Sequence, residues 1–247
     1  MRQSMLTNEQ SQFLLKEKEA LADILLKLTE IEAPREALAT LQNAIMQLEE
    51  LFLLVVVGEF NAGKSALVNA ILGEKVLPEG ATPTTTQVTL VKWGEKKDRQ
   101  VIDEDFAVFT YPLPLLKELN IVDTPGTNAI IRHHERLTEE LVPRSDLVLF
   151  TTSADRPMTE SERLFLERIL AWKKKIVFIL NKVDIIEEDL GEVQGYILKH
   201  ASAILGDQPE LFLVSARRAQ RAALEIDDAQ RQQQRAARQP PPLDRRT

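Results

Sequence analysis

Leu51-Phe52-Leu53-Leu54-Val55-Val56-Val57 runs directly into Gly58-Glu59-Phe60-Asn61-Ala62-Gly63-Lys64-Ser65, and that junction decides the fold. An apolar run, a glycine-framed loop and then Ala66-Leu67-Val68-Asn69-Ala70-Ile71-Leu72 predict a buried strand, a turn and a helix. That is the order of a phosphate-binding P-loop. Gly58 and Gly63 let the backbone curl so that successive N–H groups point at phosphate oxygens, and the helix opening near Lys64 adds its positive dipole end. The candidate cradle is therefore Gly58, Glu59, Phe60, Asn61, Ala62, Gly63, Lys64, Ser65 and Ala66. Lys64 is expected to reach the β- and γ-phosphates, and the Ser65 hydroxyl to bind Mg²⁺.

Three later segments indicate which nucleotide. Ile121-Val122-Asp123-Thr124-Pro125-Gly126 ends a second apolar strand; Asp123 is placed to hold Mg²⁺ through a water, and the Gly126 N–H to touch the γ-phosphate. Lys175-Ile176-Val177-Phe178-Ile179-Leu180 leads into Asn181-Lys182-Val183-Asp184. A carboxylate at Asp184 accepts from guanine N1–H and the 2-amino group, whereas adenine leaves it unpaired and is penalised. Asn181 is expected to support the base-binding loop, and the Lys182 stem to cover the base face. Leu211-Phe212-Leu213-Val214 then delivers Ser215-Ala216-Arg217, with the Ala216 N–H as a donor to guanine O6. Four motifs in this order, each at a strand end, predict binding of GTP and GDP.

Composition bounds the rest. A chain of 247 residues accommodates one well-buried α/β domain with appendages. No cysteine is present, which removes disulfides, thiolate metal sites and cysteine nucleophiles. No apolar stretch approaches the ~20 residues that span a bilayer, and the polar start does not resemble a signal peptide, so a cytoplasmic chain is expected. The formal charge of −7 argues against non-specific nucleic-acid binding.

Three regions follow along the chain. Residues 1–50 read as helical: Asn8 caps a helix through about Ile31 with Leu14, Leu21, Ile24, Leu25 and Leu28 on one stripe, and Pro34 opens a second with Leu38, Leu41, Ile45 and Leu48. The two form a helical hairpin, packed on the core or belonging to a bundle. Residues 51–218 read as the nucleotide domain, a P-loop α/β fold with a doubly wound, mostly parallel sheet flanked by helices. Within it, Leu77 to Thr86 is a loop rich in proline and threonine where switch I belongs. Thr84 and Thr85, with Thr82 behind them, are the candidates for binding Mg²⁺ and the γ-phosphate. Gln87 to Trp93 reads as an alternating strand, Phe106 to Tyr111 as a second, edge strand, and Asp146 to Thr152 as a central one. Thr159 through Glu162 fits a capping box. Residues 219–247 carry a helix to about Ala237 and a disordered basic end; from Arg217 onward there are eight arginines against four acidic residues. That tail reads as a solvated terminus, with acidic lipid or nucleic acid as the competing contact.

Hydrolysis carries two clues. Ras-like enzymes place a glutamine after the Asp-x-x-Gly motif to orient the attacking water. Here that position is Thr127, followed by Asn128, and threonine is too short for that task. A P-loop side chain, a backbone-held water, a partner subunit or a cation must supply the function. In several GTPases an asparagine at the position of Asn61 helps hold K⁺ beside the phosphates, so K⁺-stimulated hydrolysis is expected; the competing reading is a residue that only stabilises the turn. His133, His134 and His200 read as solvated side chains rather than a zinc site.

Gly58 to Ser65, Ala81-Thr82-Pro83-Thr84-Thr85, Asp123 to Asn128, and Thr152-Ser153-Ala154-Asp155-Arg156-Pro157-Met158-Thr159-Glu160-Ser161 together resemble the bacterial dynamin-like GTPases and their chloroplast relatives. The resemblance covers roughly Leu51 to Arg218. It implies low nucleotide affinity, dimerisation of GTPase domains across the nucleotide, and hydrolysis coupled to membrane fusion, fission or tubulation. Residues 1–50 would correspond to the neck bundle. Members of that family continue into a helical stalk and a lipid-binding tip, so this sequence is expected to be a piece of such a protein or to need a partner chain for peripheral membrane contact. Two other functions compete: a soluble K⁺-dependent GTPase acting on ribosome or RNA, and a GTP-gated interaction module. Glu59-Phe60, where the RNA-associated enzymes usually carry arginine-proline, counts against the first. Intact Lys64, Ser65 and Asp123 count against the second.

Overall fold

The computed structural model describes residues 8–31, 33–34, 37–38, 41, 51–80, 87–126, 141–171, 173–186 and 188–226. Its centre is an eight-stranded sheet. In chain order the strands are β1 (Phe52–Val57), β2 (Val88–Trp93), β3 (Asp98–Val101), β4 (Phe106–Tyr111), β5 (Leu119–Asp123), β6 (Leu147–Ser153), β7 (Ile176–Asn181) and β8 (Leu211–Val214). In space they run β3-β4-β2-β5-β1-β6-β7-β8. The half from β5 to β8 is parallel throughout, with β1 paired to β5 on one side and β6 on the other. Strands buried on both faces need no polar alternation, which is why β1 is an unbroken apolar run.

Beside α1 (Asn8–Glu30), helices cover both faces: α2 Lys64–Leu72, α3 Glu160–Leu170, α4 Leu190–Leu205, and α5 residues 216–226. Val55, Val57, Val148, Phe150 and Phe178 point to one side, where Phe165, Leu166 and Ile169 of α3 and Ile197 and Ala201 of α4 cover them. Leu54, Val56, Ile121, Leu149 and Ile179 point to the other, against Leu67, Val68 and Leu72 of α2 and Ala216 of α5. Each buried valine, leucine, isoleucine or phenylalanine contributes about 1.5–3 kcal/mol of transfer free energy, so the two layers are the main stabilising term. The βα units are thus shared between the two faces, α3 and α4 on one and α2 and α5 on the other, and the carboxyl ends of β1, β5, β6 and β7 converge on one rim.

One expectation requires correction. Phe106–Tyr111 is not the edge: β4 lies between β2 and β3, parallel to the first and antiparallel to the second. The edge is β3, whose four residues are all exposed, so it carries no burial pattern to reveal it. The N-terminal helical hairpin falls only partly within the described residues. They give α1 and then helical residues at 37, 38 and 41, with the Ala37 and Leu38 N–H groups donating to the Pro34 carbonyl, but no complete hairpin. Most of the second helix's expected stripe lies outside the described residues. On α1 the stripe residues Leu21, Leu25 and Leu28 are partly buried, whereas Phe13, Ile24 and Leu26, with Ile31 just beyond, are exposed. No helix among the described residues is long and apolar enough to cross a membrane.

Candidate nucleotide site

The rim is built from the P-loop outward. Gly58 lies so close to β6 that an added Cβ would stand 1.9 Å from the Thr151 carbonyl oxygen, so only glycine fits. Gly63 turns with φ +83°, and a Cβ there would come 2.3 Å from Asn181 Nδ2. The next residue, Lys64, opens α2 and is buried; its Nζ donates to the Gly58 carbonyl at 3.1 Å and the Glu59 carbonyl at 2.9 Å. Burial pulls the Lys64 ammonium below its ordinary range, opposed by the charges of Asp123, Glu162 and Glu59. Asn61 sits at φ +63°, a left-handed conformation that asparagine tolerates, which gives that residue type a conformational reason of its own.

Behind the loop, Ser65 Oγ donates to Asp123 Oδ2 at 2.6 Å. Asp123 is buried, and burial raises its carboxyl to about 6 against the pull of Lys64 and the Ser65 hydroxyl. Among the described residues Oδ1 of Asp123 has no hydrogen-bond partner. A buried carboxylate oxygen without a donor, beside a serine hydroxyl and a lysine, is a donor set suited to a hard cation that carries its own waters, as Mg²⁺ does. The residues therefore fit the ion.

A cavity of about 310 Å³ opens in front of this pair, lined by Phe60, Asn61, Gly63, Lys64, Ser65, Ala66, Glu79, Gly80, Thr124, Pro125, Gly126 and Lys182. Gly126 meets the P-loop closely, since a Cβ on it would stand 2.7 Å from the Phe60 nitrogen. Thr124 Oγ1 donates to the Val56 carbonyl at 2.9 Å and fixes the end of β5 against β1.

Asn181 joins the phosphate side to the base side. Its Nδ2 donates to the carbonyls of Ala62 (2.9 Å) and Gly63 (3.3 Å), while its Oδ1 accepts the N–H groups of Lys182 (2.9 Å) and Ala216 (3.1 Å). The Ala216 N–H, expected to face guanine O6, is thus directed to Asn181 in this structure. Lys182 adopts φ +64° and its Nζ pairs with Asp155 Oδ1 at 3.2 Å. The Ser215 hydroxyl holds the Asp184 carboxyl below the usual carboxylate range, helped by the charges of Arg218 and Arg217, so Asp184 is anionic at neutral pH. The same hydroxyl accepts the Arg218 N–H at 3.2 Å and starts α5. Asp184, Ser215, Ala216 and Arg217 do not line the 310 Å³ cavity; they reach it through Asn181 and Lys182.

Thr82, Thr84 and Thr85, the expected switch I ligands, lie outside the described residues, as do Thr127, Asn128, His133 and His134. His200 meets Tyr196 in a tilted ring contact, with centroids 4.3 Å apart.

Two arrangements escape a reading of the sequence. Asn69 of α2 accepts the Val76 and Leu77 N–H groups and donates to Leu77 O and Glu79, while Gln220 of α5 donates to Ala66 O and Glu79. The second is Glu162. The capping box with Thr159 forms as its spacing predicts. Its carboxylate, however, also accepts from Thr152 Oγ1 at 2.9 Å and from the Glu59 N–H at 3.2 Å. Burial pushes the Glu162 carboxyl up. The only sequence signal was the box itself; its partner in the P-loop is 103 residues away.

A buried P-loop lysine, an aspartate behind the P-loop serine, and an Asn-Lys-x-Asp strand end on the same rim define a P-loop GTPase. The family described as "50S ribosome-binding GTPase" matches residues 53–182, more than half of the chain, and the chain belongs to it. It is 45% identical over 197 residues to "Probable transmembrane GTPase FZO-like, chloroplastic" of Arabidopsis thaliana, covering 76% of this chain and 22% of that protein. With a "Bacterial dynamin-like protein" of Nostoc punctiforme it shares 30% over 179 residues, covering 56% of this chain and 26% of that one. The fold is that of a solved bacterial dynamin, described as "An oligomerised bacterial dynamin pair provides a mechanism for the long range sensing and tethering of membranes". There the TM-score is 0.61 at 20% identity, over 90% of this chain and 41% of that one. This P-loop GTPase domain is thus related to the bacterial dynamin-like and FZO-like proteins, and it spans less than half the length of each of these three.

Proposed function

We propose that the chain binds GTP at this rim and hydrolyses it to GDP and phosphate, with GTPase domains associating to complete the site and with turnover coupled to membrane remodelling. The observation that carries the reading is the convergence on one cavity of Lys64, the Ser65–Asp123 pair and, through Asn181, the Asp184 loop. Backbone N–H groups from Gly58 to Ala66 receive the phosphates and Lys64 moves from the Gly58 and Glu59 carbonyls onto their oxygens. Ser65 and Asp123, with Thr84 or Thr85, are the residues that would hold Mg²⁺, which supplies charge neutralisation and orientation of phosphate oxygens. Gly126 reports the γ-phosphate by its N–H. Lys182 covers the base, Asp184 selects guanine, and Ser215, Ala216 and Arg217 frame it. Asn61 is the residue that would hold K⁺, which supplies positive charge where negative charge develops. The 45% identity to the FZO-like transmembrane GTPase supports the membrane role. Residues 51–218 act as the GTPase domain, residues 1–50 as a bundle segment to which the exposed apolar side chains of α1 are suited, and residues 219–247 as a basic tail.

A soluble, K⁺-dependent GTPase acting on ribosome or RNA is the second reading, favoured by the family's description and disfavoured by the net charge of −7.

The test is phosphate release from GTP and from ATP in Mg²⁺, with Lys64→Ala beside the natural chain. GTP alone is consumed, and Lys64→Ala consumes neither. Equal turnover of ATP would overturn the guanine reading, and GTP turnover surviving in Lys64→Ala would overturn the site.

A further inference from the structure

Glu162 sits at the third position of α3 with no exposed surface, and both of its oxygens are in use. A capping box requires only that its carboxylate reach back to the Thr159 N–H, which Oε2 does at 3.0 Å. Two further bonds have nothing to do with starting a helix. Oε2 also accepts from Thr152 Oγ1 at the end of β6, and Oε1 accepts the N–H of Glu59 in the P-loop. Glu59 is held from other sides as well: its carboxylate accepts from Thr159 Oγ1 at 2.7 Å and from Ser161 Oγ, and its carbonyl accepts from Lys64 Nζ at 2.9 Å.

These bonds differ in what happens when Lys64 is drawn to a phosphate. The ammonium then leaves the Glu59 carbonyl, and the bonds from the Glu59 N–H and side chain to α3 remain to hold that peptide. A buried anion has a strong preference for keeping all its donors, because losing one leaves an uncompensated charge. The Glu162 charge also favours the ammonium form of Lys64.

We propose that Glu162 is a positioning residue for the phosphate-binding loop: its buried carboxylate, with Thr159 and Ser161, fixes the Glu59 peptide and through it the curvature that aims the loop and Lys64 at the phosphates. The proposal rests on the reading of this cavity as a nucleotide site.

Glu162→Gln tests it. The amide has one acceptor oxygen, so it cannot serve both the Glu59 N–H and the Thr152–Thr159 donors, and its NH₂ faces donors on the side it abandons. Calorimetric titration of the whole chain with Mg²⁺·GTP and with GMP separates the β- and γ-phosphate contacts from those of the base and first phosphate. The expected result is a loss of roughly tenfold in GTP affinity, the weight of one hydrogen bond to a charged group, with GMP affinity changed less than about twofold. Glu167→Gln, on the exposed side of the same helix, leaves both unchanged. Equal losses for GTP and GMP would mean general destabilisation and would overturn the proposal, as would a folded Glu162→Gln chain with natural GTP affinity. If Glu162→Gln does not fold, Ser161→Ala removes one support of Glu59 from a half-exposed position and is expected to weaken GTP about threefold, again sparing GMP; no change would overturn the proposal. Failure of the natural chain to bind GTP would instead remove the nucleotide site itself.

Discussion

Asn181 Nδ2 donates to the Ala62 carbonyl at 2.9 Å, so the side chain that closes β7 on the base side also holds the floor of the P-loop. Removing it with Asn181→Ala takes the acceptor from the Lys182 and Ala216 N–H groups and the donor from the Ala62 carbonyl, while the Gly63 carbonyl keeps the Leu67 N–H. Each buried group left unpaired costs about 1–3 kcal/mol. The melting temperature falls and GDP affinity drops with it, both readable by scanning and titration calorimetry on one preparation. Natural affinity in a destabilised variant would show that the two sides of the site are not coupled through this residue.

Gly58→Ala places a methyl group 1.9 Å from the Thr151 carbonyl oxygen, where only movement of β6 or of the loop can relieve it. Overpacking of this kind costs about 1–3 kcal/mol, and here it falls on two central strands. Thermal unfolding reads the loss. A variant that melts with the natural chain would contradict the packing of the P-loop against β6.

Asp123 gives the site a pH dependence of definite sign. Its carboxyl is raised from 3.8 to about 6, so between those values the folded chain holds a proton that the unfolded chain has released. This group's contribution to stability, up to about 3 kcal/mol, is present at acid pH and lost as pH rises through 6. Mg²⁺ needs the carboxylate, so Mg²⁺-dependent affinity for GDP runs the opposite way and weakens about fourfold by pH 5.5, at half a unit below the pKa. Titration with GDP at several pH values, with and without Mg²⁺, separates this loss from protonation of the nucleotide itself. A Mg²⁺ contribution that does not change between pH 7.5 and 5.5 would contradict the assignment of Asp123.

Asp184→Asn replaces an anionic acceptor by an amide that presents donors to guanine N1–H and the 2-amino group. GTP affinity falls at least about a hundredfold, while xanthosine triphosphate, with an oxygen in place of the 2-amino group, gains. Competition binding with the two nucleotides checks the inversion. Unchanged preference would place base recognition elsewhere.

What was legible in the sequence follows from distance along the chain. β1, the P-loop and α2 are contiguous, so burial on both faces and the glycine positions declare them together. The box at Thr159 and Glu162 is equally local. Strand β3 was hidden because Asp98–Val101 is exposed throughout; only its hairpin with β4, closed where the Ile102 and Asp103 N–H groups meet the Phe106 carbonyl, makes it a strand. That hairpin also moves β4 from the edge to the interior. The contacts of Glu162 with Glu59 and of Asn181 with Ala62 join residues 103 and 119 positions apart, and no local pattern encodes them. Sequence named Asn181 as a support because of its motif, but could not say that Ala216 would be its fourth partner.

Phosphate release from GTP, measured per chain over a wide range of protein concentration in matched K⁺ and Na⁺ buffers, bears most directly on hydrolysis completed by association of GTPase domains around a cation. A specific rate that climbs with concentration in K⁺ and stays low in Na⁺ is the predicted result. A rate that is flat with concentration and equal in the two cations would contradict it.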